Sequence, residues 1–162
     1  MYSAKAIANY FLDKGDEDQI AISPMKLIKL VYIAHGWYLA FTDDPLIDDY
    51  VEAWTYGPVI PSLYQAFKRY GSFPIHGRAR ERRGIKRITA SIEDVHDHPS
   101  FPIKPFLDKV WDEYKSFTAA ELSSLTHTED TPWYWTLKYH GLGYVIDDGL
   151  IREYYVRRKR AE

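Results

Sequence analysis

The chain has 162 residues, 46% of them hydrophobic and 27% charged, the profile of one ordinary globular domain. It carries no cysteine, so disulfides, thiolate metal sites and a cysteine nucleophile are excluded. A formal net charge of -2 recommends neither nucleic acid nor anionic lipid as a partner on charge alone.

In chain order, Ala4, Ile7, Ala8 and Phe11 stand at helical spacing and predict a short amphipathic helix that stops at Lys14-Gly15, ahead of the acidic residues 16–18. Ser23-Pro24 then supplies a cap and a first-turn proline for a helix over 24–41. Its apolar residues cover nearly every face, and its only charges are Lys26 and Lys29 near the start, so it belongs at the centre of the domain. Residues 51–56 are aromatic and β-branched and read as a strand closing at Gly57-Pro58. Pro61 opens a helix with Leu63, Ala66, Phe67 and Tyr70 on one face and Gly71 as its stop.

Residues 72–100 change character. Alternation at Ile88, Ala90 and Ile92 predicts a second strand that pairs with the first, within an exposed basic excursion. Prolines 99, 102 and 105 lead into a helix carrying Leu107, Val110, Trp111 and Tyr114, and Thr118 with Glu121 forms a capping box for the next, ending near Leu125. Thr131-Pro132 opens a helix through Leu137 stopped by Gly141, and Ile151, Tyr154 and Tyr155 mark a last helix with a basic end at 157–160. The expected fold is mainly α: a single compact helical domain, 1–162, around the apolar helix 24–41, with a small two-stranded β element. No run of about 18 apolar residues occurs and the N-terminal segment lacks an export signal's apolar stretch, so the expected location is cytoplasmic, with no membrane partner.

His127 and Glu129 form an H-x-E pair like that of zinc deaminases, but those enzymes complete the metal shell with cysteines that this chain lacks. The pair reads as a turn between two helices, with Glu129 or Asp130 accepting backbone hydrogen bonds at the following helix. A metal-dependent hydrolase using His127 and Glu129 is the rival. His96 and His98 read as solvated surface, and His35 as a hydrogen-bonded core histidine, because Val31 and Leu39 offer no second ligand on its helix. No phosphate loop or nucleophile elbow appears, so no catalytic residue, metal or cofactor is expected. Between 78 and 87, six cations (Arg78, Arg80, Arg82, Arg83, Lys86, Arg87) face one anion, Glu81. This cluster suits a solvated loop, a dock for an acidic protein partner or a nucleic-acid-binding regulator; lacking interleaved aromatics, it does not favour nucleic acid. Trp54 and Tyr56 flank a turn built on Gly57 and Pro58, and they form either a rigid aromatic platform or a core plug.

At these residues the sequence resembles the Panacea domain of SocA-like antitoxins, found also as phage-associated GepA-type proteins. Three blocks carry the likeness: residues 25–40, residues 45–61 with A-W-T-Y-G-P-V at 53–59, and residues 121–133. The resemblance implies a standalone, non-enzymatic domain that neutralises a cognate protein toxin, often encoded by the adjacent gene, by direct contact. It also implies, in the SocA-like branch, delivery of that toxin to a Clp-type protease. Larger members append DNA-binding segments for which this sequence leaves no room, so autoregulation is not expected. Leu27, Leu30, Val31, Leu122 and Leu125 read as core. Trp54, Tyr56, Gly57, Pro58, Tyr64, His127, Glu129 and Trp133 are the candidate partner-contact residues, and Arg78, Arg80, Arg82 and Arg83 the candidate electrostatic docking residues.

Overall fold

The computed structural model describes residues 1–94 and 101–161. The first helix, α1 (Ala4–Asp18), begins where the Ser3 hydroxyl accepts the Ala6 N–H, and it runs through Gly15 to a left-handed Gln19. It is thus one turn longer than the sequence spacing predicts. Gly15 does not stop the helix; it makes room for the returning chain, since a Cβ there would meet Ile22 Cδ1 at 2.7 Å and the Ile20 carbonyl at 2.9 Å.

The central helix, α2 (Pro24–Thr42), is capped by Ser23, and every residue from Lys26 to Ala40 is buried. Around it pack α7 (Asp148–Ala161), α5 (Ala119–Thr126), α4 (Ile103–Tyr114), α3 (Pro61–Phe67) and α1. At Gly36 a Cβ would lie 2.1 Å from Cε2 of Tyr155, so only glycine lets α7 lie this near. One residue earlier, buried His35 places Nε2 2.9 Å from the Asp148 carboxylate in the first turn of α7. Leu125, expected in the core, is half-buried at its edge.

Strand β1 (Val51–Trp54) pairs antiparallel with β2 (Gly57–Val59) on one side and with β5 (Val145–Ile146) on the other. Strands β3 (Arg80–Arg83) and β4 (Lys86–Thr89) form a separate two-stranded sheet. Alternation at 88–92 predicts pairing with the first strand; β4 instead pairs with its sequence neighbour β3. The loop Gly84-Ile85, with Gly84 at φ +59°, closes that hairpin locally at far smaller entropy loss than a crossover to β1. Both edges of β1 are, moreover, already occupied. The molecule is mainly α, as the helical spacing predicts, with a three-stranded sheet added to the small two-stranded one.

The β3–β4 hairpin is fastened to α1 by buried Asn9, whose Nδ2 donates to the carbonyls of Ala79 (2.9 Å) and Ala90 (2.8 Å) while its Oδ1 accepts the Ala79 N–H at 2.8 Å. Arg78 adds ion pairs to Asp13 and Asp16 of the same helix. Among the described residues, no helix is long and apolar enough to cross a membrane.

Candidate functional site

The most diagnostic stretch of sequence, 53–59, folds as the β1–β2 hairpin. Trp54 pairs with Gly57, and Thr55 and Tyr56 form the turn, with Gly57 at φ +104°, a conformation that suits glycine. Gly57-Pro58 therefore begins the return strand instead of closing the first. Three side chains hold the turn from below. Lys29 of α2 donates from Nζ to the carbonyls of Tyr56 (2.8 Å) and Pro58 (2.9 Å), the Ser123 hydroxyl of α5 donates to the Tyr56 carbonyl (2.9 Å), and Trp133 Nε1 of α6 (Pro132–His140) donates to the Trp54 carbonyl (2.7 Å). Gly57 is needed twice over, because a Cβ on it would stand 2.8 Å from Lys29 Nζ and 3.2 Å from His127 Cβ.

Lys29 is the residue that sequence reasoning passed over. It is 2% exposed, and its bonded partners are two backbone carbonyls rather than a carboxylate. Burial alone pushes its ammonium down to about 7. Lys26, one turn away, is used similarly, donating to the Lys115 carbonyl at the end of α4 (2.6 Å), and burial lowers it as well. The available signal was two lysines on an otherwise apolar helix, positions that fold as buried clamps.

Above this floor the ring of Trp54 meets Tyr64 edge-on at 4.9 Å, and Trp54 Nε1 donates to Glu52 at 2.7 Å. Trp54 is neither free platform nor core plug, but one wall of an open groove of about 670 Å³. Met25, Ile28, Tyr56, Tyr64 and Leu142 line it, together with Lys29 and Lys68. Tyr56 at 67% and Leu142 at 59% are among the most exposed large apolar side chains in the molecule.

The eight sequence-predicted contact residues separate by depth. Tyr56 and Tyr64 are exposed and Trp54 half-buried on the groove. Gly57, Pro58 and Trp133 are buried beneath it as its support. His127, half-buried, is the C-cap residue of α5; its Nδ1 bonds the Ser123 carbonyl and its ring meets Trp133 edge-on at 5.3 Å. Glu129 is exposed on the following turn. The cap of α6 comes from the Thr131 hydroxyl accepting the Tyr134 N–H, in place of the expected Glu129 or Asp130, because Asp130 sits in the left-handed conformation at φ +64°. Among the described residues no three of His, Asp and Glu are placed to hold a metal. His96 and His98 lie outside the described residues.

Arg78 is engaged with α1, whereas Arg80, Arg82 and Arg83 are exposed on the β3–β4 hairpin. Register places Arg80, Arg82 and Arg87 on the same face, with Arg82 directly opposite Arg87. Glu81 on the other face accepts from the Ser3 hydroxyl at 2.8 Å.

Comparison with known proteins bears on this hairpin-and-groove arrangement. Residues 27–134 match the family model described as Antitoxin SocA-like, Panacea domain. The chain is also 32% identical over 130 residues to Antitoxin SocA of Caulobacter vibrioides (strain NA1000 / CB15N), covering 80% of this chain and 68% of that protein. No solved structure matches. The matched range includes Lys29, the β1–β2 hairpin, Tyr64, Ser123 and Trp133.

Proposed function

We propose that this chain, which belongs to the family of SocA-like antitoxins with a Panacea domain, neutralises one cognate protein toxin by direct contact at the groove walled by Trp54, Tyr56 and Tyr64. Family membership supports an antitoxin role and, with it, a toxin as partner. The observation that carries the choice of surface is the gathering of exposed apolar side chains (Met25, Tyr56, Tyr64, Leu142) around one open groove. Aromatic side chains presented on a rigid support are the usual anchors of a protein interface. The support here is rigid because each carbonyl from Trp54, Tyr56 and Pro58 is held by a buried side chain. Arg80, Arg82 and Arg83 lie on a different element and supply charge complementarity that speeds encounter with an acidic partner.

The toxin is proposed to be encoded beside this chain and met in the cytoplasm, where occlusion of its working surface is the basic mechanism. Delivery to a Clp-type protease is proposed as a second layer, as the resemblance to the SocA-like branch implies. Co-expression with the neighbouring gene product tests the reading. Growth should be arrested by that product alone and restored by the intact chain, and Tyr56→Ala with Tyr64→Ala should lose the rescue while keeping the helical circular-dichroism signal. A product that is harmless alone, or that stays toxic beside the intact chain, sinks the proposal. Rescue that vanishes in a Clp-deficient host favours delivery over occlusion.

A further inference from the structure

The groove has an apolar rim and a cationic floor. Among the described residues, its lining contains Lys29 and Lys68 but no carboxylate. Lys29 keeps its ammonium among backbone carbonyls, which satisfy its hydrogen bonds without neutralising its charge. The titratable groups around it are the phenols of Tyr56 and Tyr64, the Lys68 ammonium on the rim, and His127 of α5, whose Cβ lies beside the same Gly57. The Glu52 carboxylate, on the same face of β1 as Trp54, is taken by Trp54 Nε1 at 2.7 Å and is not among the groups bonded to Lys29.

This arrangement constrains what can cover the groove. A wholly apolar occupant would desolvate Lys29 further without adding a counter-charge, so at pH 6 its binding would be opposed by the cost of driving off the Lys29 proton. An occupant that brings a carboxylate supplies the missing charge, while its apolar neighbours use the aromatic walls. Resting on the antitoxin reading above, we propose that the groove receives a segment of the partner protein in which an acidic side chain lies between apolar ones, the carboxylate facing Lys29 and Lys68 and the apolar side chains packing against Trp54, Tyr56 and Tyr64.

Burial holds Lys29 near a value of about 7 in the free chain. A bound carboxylate favours the charged form, so binding takes up a proton at mildly alkaline pH, and affinity falls as the pH rises.

Two synthetic peptides test the proposal without knowledge of the partner: acetyl-Gly-Leu-Glu-Leu-Gly-amide and its counterpart with glutamine at the centre. Each is titrated to millimolar concentration into isotope-labelled chain, and amide shifts are followed by nuclear magnetic resonance. The expected result is saturable shifts at Lys29, Tyr56 and Gly57, with the acidic peptide binding about tenfold more tightly at pH 6, as one close charge pair gives. That preference should shrink towards parity at pH 9. The same pH dependence should persist in His127→Gln, which removes the other titratable group at the floor. Lys68→Gln should weaken the acidic peptide alone.

Equal affinities at pH 6, a preference that does not decline with pH, or no shifts at the groove amides would each overturn the proposal. The growth-rescue assay reads separately: rescue by the intact chain together with peptide failure sinks only the acidic-segment inference, and peptide success without rescue sinks only the antitoxin reading.

Discussion

Raising the pH from 7 to 9 should stabilise the folded chain through Lys29. In the fold its ammonium is pushed down to about 7 by burial, and on unfolding it returns to the ordinary 10.5. Between those two values the unfolded chain binds a proton that the folded chain has released, so stability rises with pH by up to about 1.4 kcal/mol per unit. Below pH 7 both states hold the proton, and the burial penalty is present in full. From pH 7 to 9 the integrated gain is about 2 kcal/mol, to which Lys26, also lowered by burial, adds in the same direction. Above about pH 10 the trend reverses, because buried Tyr32 and Tyr155 are held protonated while the unfolded chain ionises. Urea unfolding followed by circular dichroism at pH 6, 7, 8 and 9 measures this as a midpoint rising by about 1 M between pH 7 and 9. Lys29→Met should show a markedly flatter rise. A wild-type midpoint that is level or falls over that interval, or two proteins whose midpoints run parallel, would refute the assignment.

The packing makes further predictions. Gly36→Ala drives a Cβ to within 2.1 Å of the Tyr155 ring and should destabilise by about 3 kcal/mol in urea unfolding, with Tyr155→Leu in the same chain recovering a substantial part. Asn9→Leu removes three buried hydrogen bonds at the base of the β3–β4 hairpin, so the Ala79 amide should lose its hydrogen-exchange protection and global stability should fall by about 2–4 kcal/mol. Trp133→Phe leaves the Trp54 carbonyl without its donor and, its ring being smaller than indole, a gap beneath the hairpin, at a cost of about 1–3 kcal/mol by thermal unfolding. Arg82→Glu replaces a repulsive cross-strand pair with Arg87 by an attractive one, so the fold should be unharmed while the salt dependence of association with an acidic partner weakens, read by surface plasmon resonance.

Much of the helical framework was legible in the sequence because its signals are local. Ser23-Pro24, Thr118 with Glu121 and Thr131-Pro132 each carry a cap and its helix within a few residues, and all three helices begin where those residues stand. Gly15 shows the limit of that reasoning. A glycine reads as a stop when only its neighbours in the chain are known, yet here it answers to Ile20 and Ile22 returning against the helix. Strand pairing was misread for a related reason: alternation reports that a strand exists, whereas its partner depends on which edges other segments have taken. The candidate site divides in the same way. Tyr56 and Tyr64 reach the groove, while Gly57, Pro58 and Trp133, drawn from the same blocks, are buried under it.

The sequence by itself determined a cysteine-free, aromatic-rich, mainly α chain with an apolar central helix and a likeness to SocA-like antitoxins, because composition, helical periodicity and short motifs are properties of neighbours along the chain. Only the tertiary structure decided that Lys29 is a buried clamp, that Arg78 serves α1 while Arg80, Arg82 and Arg83 face solvent, and that Trp54 walls a groove. Burial, counter-charge and exposure are set by segments far apart in sequence: Lys29 receives its carbonyls from 27 and 29 residues away, and Trp54 its donor from 79.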